Sequence, residues 1–165
     1  MIDWLPNLIL LDDHRGIWQE FLDAVHTQFE QDFIVSKPTW PNKRVALKRH
    51  PETAQKSATF WHMISEGKVE TERTPDISRC ERIAWPRPMM DNFKEISHSL
   101  HNTRVIWWKE KRGTEDRYIL ALSDFSYVVV IVDRGEFVLP WTAYCVGYNN
   151  QKRKYEKKWK EYWGI

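Results

Sequence analysis

The sequence predicts an α+β fold: a small antiparallel sheet of about four to five strands, packed with helices from the N-terminal, middle and C-terminal parts of the chain. Three observations carry this expectation. Between residues 118 and 144 lie three short runs rich in β-branched and aromatic residues (YILALS, YVVVIVD, EFVLPWTAY). Turns of only a few residues separate them, as in an antiparallel meander. Ile17, Phe21, Leu22, Val25 and Phe29 recur at helical spacing and predict an amphipathic helix over 15–32. The chain has 165 residues, 42% of them hydrophobic, enough to bury a core without metal or disulfide staples. With no internal repeat or low-complexity linker, 1–165 reads as one domain.

Taken in order, Asp12 and Asp13 sit where an N-cap and acidic first turn belong. Pro38 and Pro41 mark a loop, and residues 44–48 form a short alternating strand. Residues 54–65 read as a helix with Gly67 beyond its end, or as a strand through 59–64. On the helical reading Lys56, Thr59 and His62 share one side. Residues 70–76 are polar loop. Asp76 or Ser78 caps a helix through Arg79, Arg82 and Ile83, which Trp85-Pro86 ends or bends. A second helix is expected over 88–100, a further strand over 105–111, and a basic, aromatic helix over 150–163.

Net charge is only +2, but it is segregated. The first 33 residues hold seven acids against Arg15 alone, and the last 15 hold six bases against two acids. Such segregation can give a nearly neutral protein a basic face suited to phosphate, although a solvated helix face is the simpler explanation of the C-terminal run by itself. The ten tryptophans include several in polar company, Trp107, Trp108 and Trp159 among them. Each is either a stacking plane for a base or an anchor of the core. Cys80 and Cys145 predict two reduced thiols and a cytoplasmic location. Neither a signal peptide nor a membrane-spanning run is expected.

No glycine-rich phosphate loop, HExxH, paired CxxC or GxSxG is present, which argues against the common nucleotide-dependent, zinc-dependent and serine-hydrolase chemistries. His98 and His101 lie three apart without a third ligand at a recognisable spacing, so no metal site and no cofactor are expected. What remains is chemistry by His, Arg, Lys, Thr and Tyr, and RNA cleavage needs only these. A base takes the proton of a ribose 2′-hydroxyl, an acid protonates the leaving 5′-oxygen, and cations with hydroxyl donors stabilise the phosphorane. His62 suits the first or second role because imidazole titrates near neutrality. Its simpler reading is a hydrogen-bonded core histidine. Thr142 and Tyr144 are two apart on the last strand, so they share a face.

The runs FWHMISEG (60–67), ERTPDISRCERIAW (72–85) and YVVVIVDRGEFVLPWTAY (127–144), followed by a Lys/Arg-rich helix, resemble a known group. It is the phage-associated branch of the barnase–EndoU–colicin–RelE-like ribonuclease superfamily. The resemblance covers most of the chain from about residue 43. It implies helices on a small antiparallel sheet, metal-independent endoribonuclease activity, service as a toxin, and an antitoxin or immunity protein as partner. Carried over by position, its polar constellation falls on His62, Arg79, Thr142 and Tyr144, with Lys56, Arg73 and Arg82 nearby. On this reading His62 is general base or acid, Arg79 clamps the scissile phosphate, and Thr142 and Tyr144 donate to it. Lys56, Arg73, Arg82 and Lys109 position the RNA backbone. Two other classes fit the residues: an RNA-binding module that does not cut, and an interaction protein docking through its acidic first helix.

Overall fold

A computed structural model describes residues 3–67, 73–95 and 104–165. Its architecture is α+β, as the sequence predicts. The central sheet comprises β1 (Arg44–Val45), β4 (Val105–Arg112), β5 (Glu115–Leu122), β6 (Tyr127–Asp133) and β7 (Phe137–Cys145), in the order β1-β7-β6-β5-β4. β4 to β7 form the expected antiparallel meander. β1 instead joins β7 in parallel, so the sheet is mixed. Two residues of β1 suffice because the junction is tied twice more: Ala46 N–H donates to the Val138 carbonyl at 2.9 Å, and Lys43 binds both oxygens of Asp133 at 2.7 and 2.8 Å. A separate ribbon pairs β2 (Ser65–Glu66), at the end of the stretch read as a helix, with β3 (Thr74–Pro75), inside the stretch read as loop.

Both faces of the sheet are covered, which explains why β6 is an uninterrupted apolar run instead of an alternating one. On one face α1 (Trp18–Glu30), α2 (Ala58–Ile64), α3 (Ile77–Glu81) and α4 (Pro86–Asp91) bury Phe21, Val25, Phe29, Met63, Cys80 and Met89 against Trp107, Leu120, Val129 and Ile131. On the other, α5 (Asn149–Trp163) buries Tyr155 and Trp159 against Ile106, Trp108, Val128 and Val130. Each such aromatic contributes roughly 2–3 kcal/mol before chain entropy is charged against it. Trp107, Trp108 and Trp159 are therefore core, not stacking surfaces.

Local chemistry sets the helix ends. Phe29 and Phe33, four apart, share the core face, and α1 passes into a π-helical turn over Gln31–Val35 in which Ile34 and Val35 are exposed. α2 starts later than the pattern over 54–65 suggests. Ser57 is its N-cap, accepting from Phe60 N–H, and residues 53–56 form a two-residue turn. Lys56 therefore precedes the helix, and its amine faces Asp23 of α1 at 3.9 Å. The Thr59 hydroxyl is taken up by the backbone of Lys48. Lys56, Thr59 and His62 do not converge. Asp76 caps α3 by accepting from Arg79 N–H at 2.9 Å, and Pro86 opens α4. The helix expected over 88–100 begins earlier and ends at Asp91; His98 and His101 lie outside the described residues.

Candidate functional site

The site grows from an irregularity in β7. Val130 pairs with Thr142, yet Ile131 pairs with Pro140, so Trp141 is an extra residue on this strand. Such a bulge bends the strand and re-aims its side chains. Beyond it Thr142 and Tyr144 point to the α5 face, as their spacing predicts, because they pair with Val130 and Val128 of that core layer. Trp141 meets the His62 ring, centroids 4.7 Å apart, and its own ring lies 5.6 Å from the Arg117 guanidinium.

Arg79 reaches this strand from α3. Its Nη1 donates to the Ser65 carbonyl at 2.7 Å and to the Thr142 hydroxyl at 3.1 Å, and its guanidinium lies 5.2 Å above the Tyr144 ring. Nη2 faces the exposed Glu66 carboxylate at 4.0 Å, beyond hydrogen-bond length. Tyr144 shares a short hydrogen bond with Tyr155 of α5. Burial first, and then this bond, hold the Tyr144 phenol well above the ordinary tyrosine range despite the nearby Arg79 charge. It therefore keeps its proton near neutrality and can serve as a donor or acid, not as a base.

Thr142 and Tyr144 line a groove of about 390 Å³ on the α5 face with Glu110, Lys111, Arg112, Arg117 and Lys158. Four cationic side chains line it, and three of them face carboxylates: Lys111 faces Asp116, Arg117 faces Glu115 and Lys158 faces Glu110. Lys158 is paired with Glu110, and Arg117 donates to Glu115 at 2.8 Å. A second cavity of about 250 Å³ is lined by Pro51, Thr53, Ala58, Trp61, His62, Ser65, Arg73 and Pro75. Ser65 borders this cavity and Thr142 borders the groove, so Arg79 Nη1 bonds to a wall of each.

The structure thus brings Arg79, Thr142 and Tyr144 into contact and sets His62 against Trp141, the neighbour of Thr142 in β7, with Arg73 on the same cavity as His62. Arg82 lies at the margin. It donates to the carbonyl and hydroxyl of Ser78, whose hydroxyl in turn lies 3.4 Å from Cys145 Sγ. Two expected backbone contacts are elsewhere. Lys56 faces α1, and Lys109 sits 4.7 Å above the Tyr118 ring. Lys109 shares the parity of Trp107, so it points to the opposite sheet face from Tyr144. Burial opposes its charge, but the Tyr118 phenol and neighbouring charges more than offset this and raise its pKa.

Sequence reasoning missed Trp141, Tyr155, Arg117 and Lys158. The 155/159/163 spacing of aromatics on the last helix was a usable signal for Tyr155, and Pro140 inside the last strand run was one for the bulge, because proline within a sheet is confined to edges and bulges. Among the described residues no group of three or more His, Cys, Asp or Glu side chains is placed to hold a metal ion. No helix among them is long and apolar enough to cross a membrane. The fold and site define a small α+β domain with an arginine–hydroxyl cluster at the mouth of a cationic groove. No protein-family profile, curated protein or solved structure matches the chain.

Proposed function

We propose that this protein is a metal-independent endoribonuclease that acts through the ribose 2′-hydroxyl and leaves a 2′,3′-cyclic phosphate. The observation that carries the reading is the convergence of Arg79, Thr142 and Tyr144, from two separate segments, beside a groove rich in cations. Guanidinium and hydroxyl donors are what a phosphorane needs in order to form. In the reaction His62 takes the 2′-hydroxyl proton, the 2′-oxygen attacks phosphorus, and the P–O5′ bond breaks. Tyr144, holding its proton near neutrality, delivers one to the departing 5′-oxygen. Arg79 and Thr142 bind the non-bridging oxygens, while Arg117 and Lys158 draw the flanking backbone into the groove. Arg73 and Arg82 stand beside this path.

The sequence resemblance adds that such a nuclease serves as a toxin against cytoplasmic RNA and is restrained by an antitoxin or immunity protein. One observation favours a second reading. His62 is buried, with 6% of its surface exposed, and a chain that holds RNA by Arg79 without cutting it needs no reactive imidazole. The two separate when purified protein is incubated with total RNA in excess EDTA, beside His62→Ala and Tyr144→Phe. Fragments ending in 2′,3′-cyclic phosphate, lost in both variants, are expected. Salt-sensitive RNA retention without fragments establishes the binding module instead.

A further inference from the structure

The cavity beside His62 carries a property that the cleavage chemistry does not use. Its walls are mostly apolar, formed by Pro51, Ala58, Trp61 and Pro75, and polar atoms enter only from Thr53, His62, Ser65 and Arg73. Apolar walls with a few placed polar groups are the usual make-up of a small-molecule site. At about 250 Å³ the cavity falls just below the roughly 300 Å³ at which pockets for drug-sized ligands begin, which suits a single planar ring.

One wall is fixed with care. The Trp61 indole N–H donates to the Thr53 carbonyl at 3.0 Å, which sets the plane of the ring. Thr53 itself is held by paired backbone hydrogen bonds with Lys56, each 3.0 Å. The two residues between them, Ala54 and Gln55, have φ of 50° and 62°, the left-handed region that non-glycine residues avoid. Backbone strain of this kind concentrates at ligand sites. The cavity is also joined to the phosphate-binding group, because Ser65 lines it and accepts from Arg79.

We propose that this cavity is a nucleobase subsite, taking one unpaired base of the RNA whose phosphate lies at Arg79, with the base stacked on Trp61. The subsite rests on the reading that the neighbouring groove takes RNA. Arg73 and Thr53 supply the polar contacts to the edge of the base, and His62 is left to the 2′-hydroxyl. It follows that the enzyme requires single-stranded RNA, because both faces of a base within a duplex are already stacked on its neighbours and none is open to Trp61.

Nucleoside 5′-monophosphates and ribose 5-phosphate test this, since neither contains a phosphodiester and neither can be cleaved. Isothermal titration of the full chain is expected to show at least one nucleotide binding tenfold or more tighter than ribose 5-phosphate. Trp61→Leu, with folding checked by near-ultraviolet circular dichroism, is expected to lose at least tenfold of that advantage, the scale of base–aromatic stacking. In the unaltered protein the Trp61 indole N–H resonance should move with nucleotide and stay still with ribose 5-phosphate. Equal binding of the two probes, an advantage that survives in folded Trp61→Leu, or an unmoved indole resonance overturns the subsite. RNA cleavage without a base-dependent advantage sinks the subsite alone. A base-dependent advantage without cleavage sinks the ribonuclease reading and leaves the subsite standing.

Discussion

Arg79→Met removes the guanidinium while keeping a long apolar stem, and its cost can be worked from four contacts. The first is the bond to the Ser65 carbonyl at 2.7 Å. Ser65 is buried, and a buried acceptor left without its partner costs about 1–3 kcal/mol. The second is the placement over the Tyr144 ring, about 0.5–1 kcal/mol. The third, the approach to Glu66, contributes nearly nothing, because that carboxylate is mostly in water. The fourth, the bond to the Thr142 hydroxyl at 3.1 Å, contributes about 1 kcal/mol. The sum is about 2.5–5 kcal/mol. Thr142→Val removes only the hydroxyl and leaves Arg79 bonded to Ser65, so it costs about 1 kcal/mol. Urea unfolding followed by tryptophan fluorescence measures both. Because the two side chains touch, their double mutant should lose less than the sum. Arg79→Met within about 0.5 kcal/mol of the parent protein refutes the reasoning. So does a Thr142→Val cost equal to that of Arg79→Met, since the guanidinium would then not be anchored on Ser65.

Three further outcomes follow from other parts of the fold. Replacing the strained turn by Ala54→Asn with Gln55→Gly should stabilise the protein by about 1–2 kcal/mol, because these residues suit left-handed backbone; a lowered melting temperature contradicts this. Burial opposes the Asp133 charge, but the Lys43 hydrogen bond, the Gly135 N–H and nearby cations outweigh it and hold the carboxyl below its ordinary range. Its contribution to stability is therefore present above the unfolded pKa of about 4 and lost as pH falls through the lower folded value. Asp133→Asn should accordingly flatten the fall of the urea midpoint below about pH 4, and an unchanged acid limb counts against the Lys43 tie. Burial pushes the Cys80 thiol up to about 12, whereas Cys145 is exposed. A thiol reagent should modify one cysteine of the native protein and two in urea, and two fast native thiols would deny that Cys80 is enclosed.

Much of the sheet was legible because its signals are local. The run at 127–133 is β-branched throughout and becomes β6 over Tyr127–Asp133. The i, i+2 spacing of Thr142 and Tyr144 fixed their common face. Pairing across distance was not legible. β1 is two residues long and β2 and β3 are no longer, so their partners lie beyond any periodic signal. The expectation for Lys109 failed for want of a face assignment. Its alternation with Trp107 was readable, but which sheet face carried Tyr144 depends on register and on the bulge at Trp141. Lys56 failed because the turn at 53–56 delays the helix by four residues beyond the start its apolar pattern suggests. Arg79 could be singled out by resemblance, whereas its anchor on Ser65 is a tertiary fact. Tyr155 entered the site because α5 packs on the face where Tyr144 emerges, and neither residue alone announces the other.

The most direct test of the central claim uses a defined single-stranded oligonucleotide with one ribonucleotide in a deoxyribonucleotide strand, incubated with the protein in excess EDTA. Cleavage on the 3′ side of that ribonucleotide, leaving a 2′,3′-cyclic end and abolished when its 2′-hydroxyl is methylated, is the predicted result. Cutting of the methylated or all-deoxyribose strand would contradict 2′-hydroxyl attack, and an intact ribonucleotide strand, with total RNA also uncut, would contradict nuclease activity altogether.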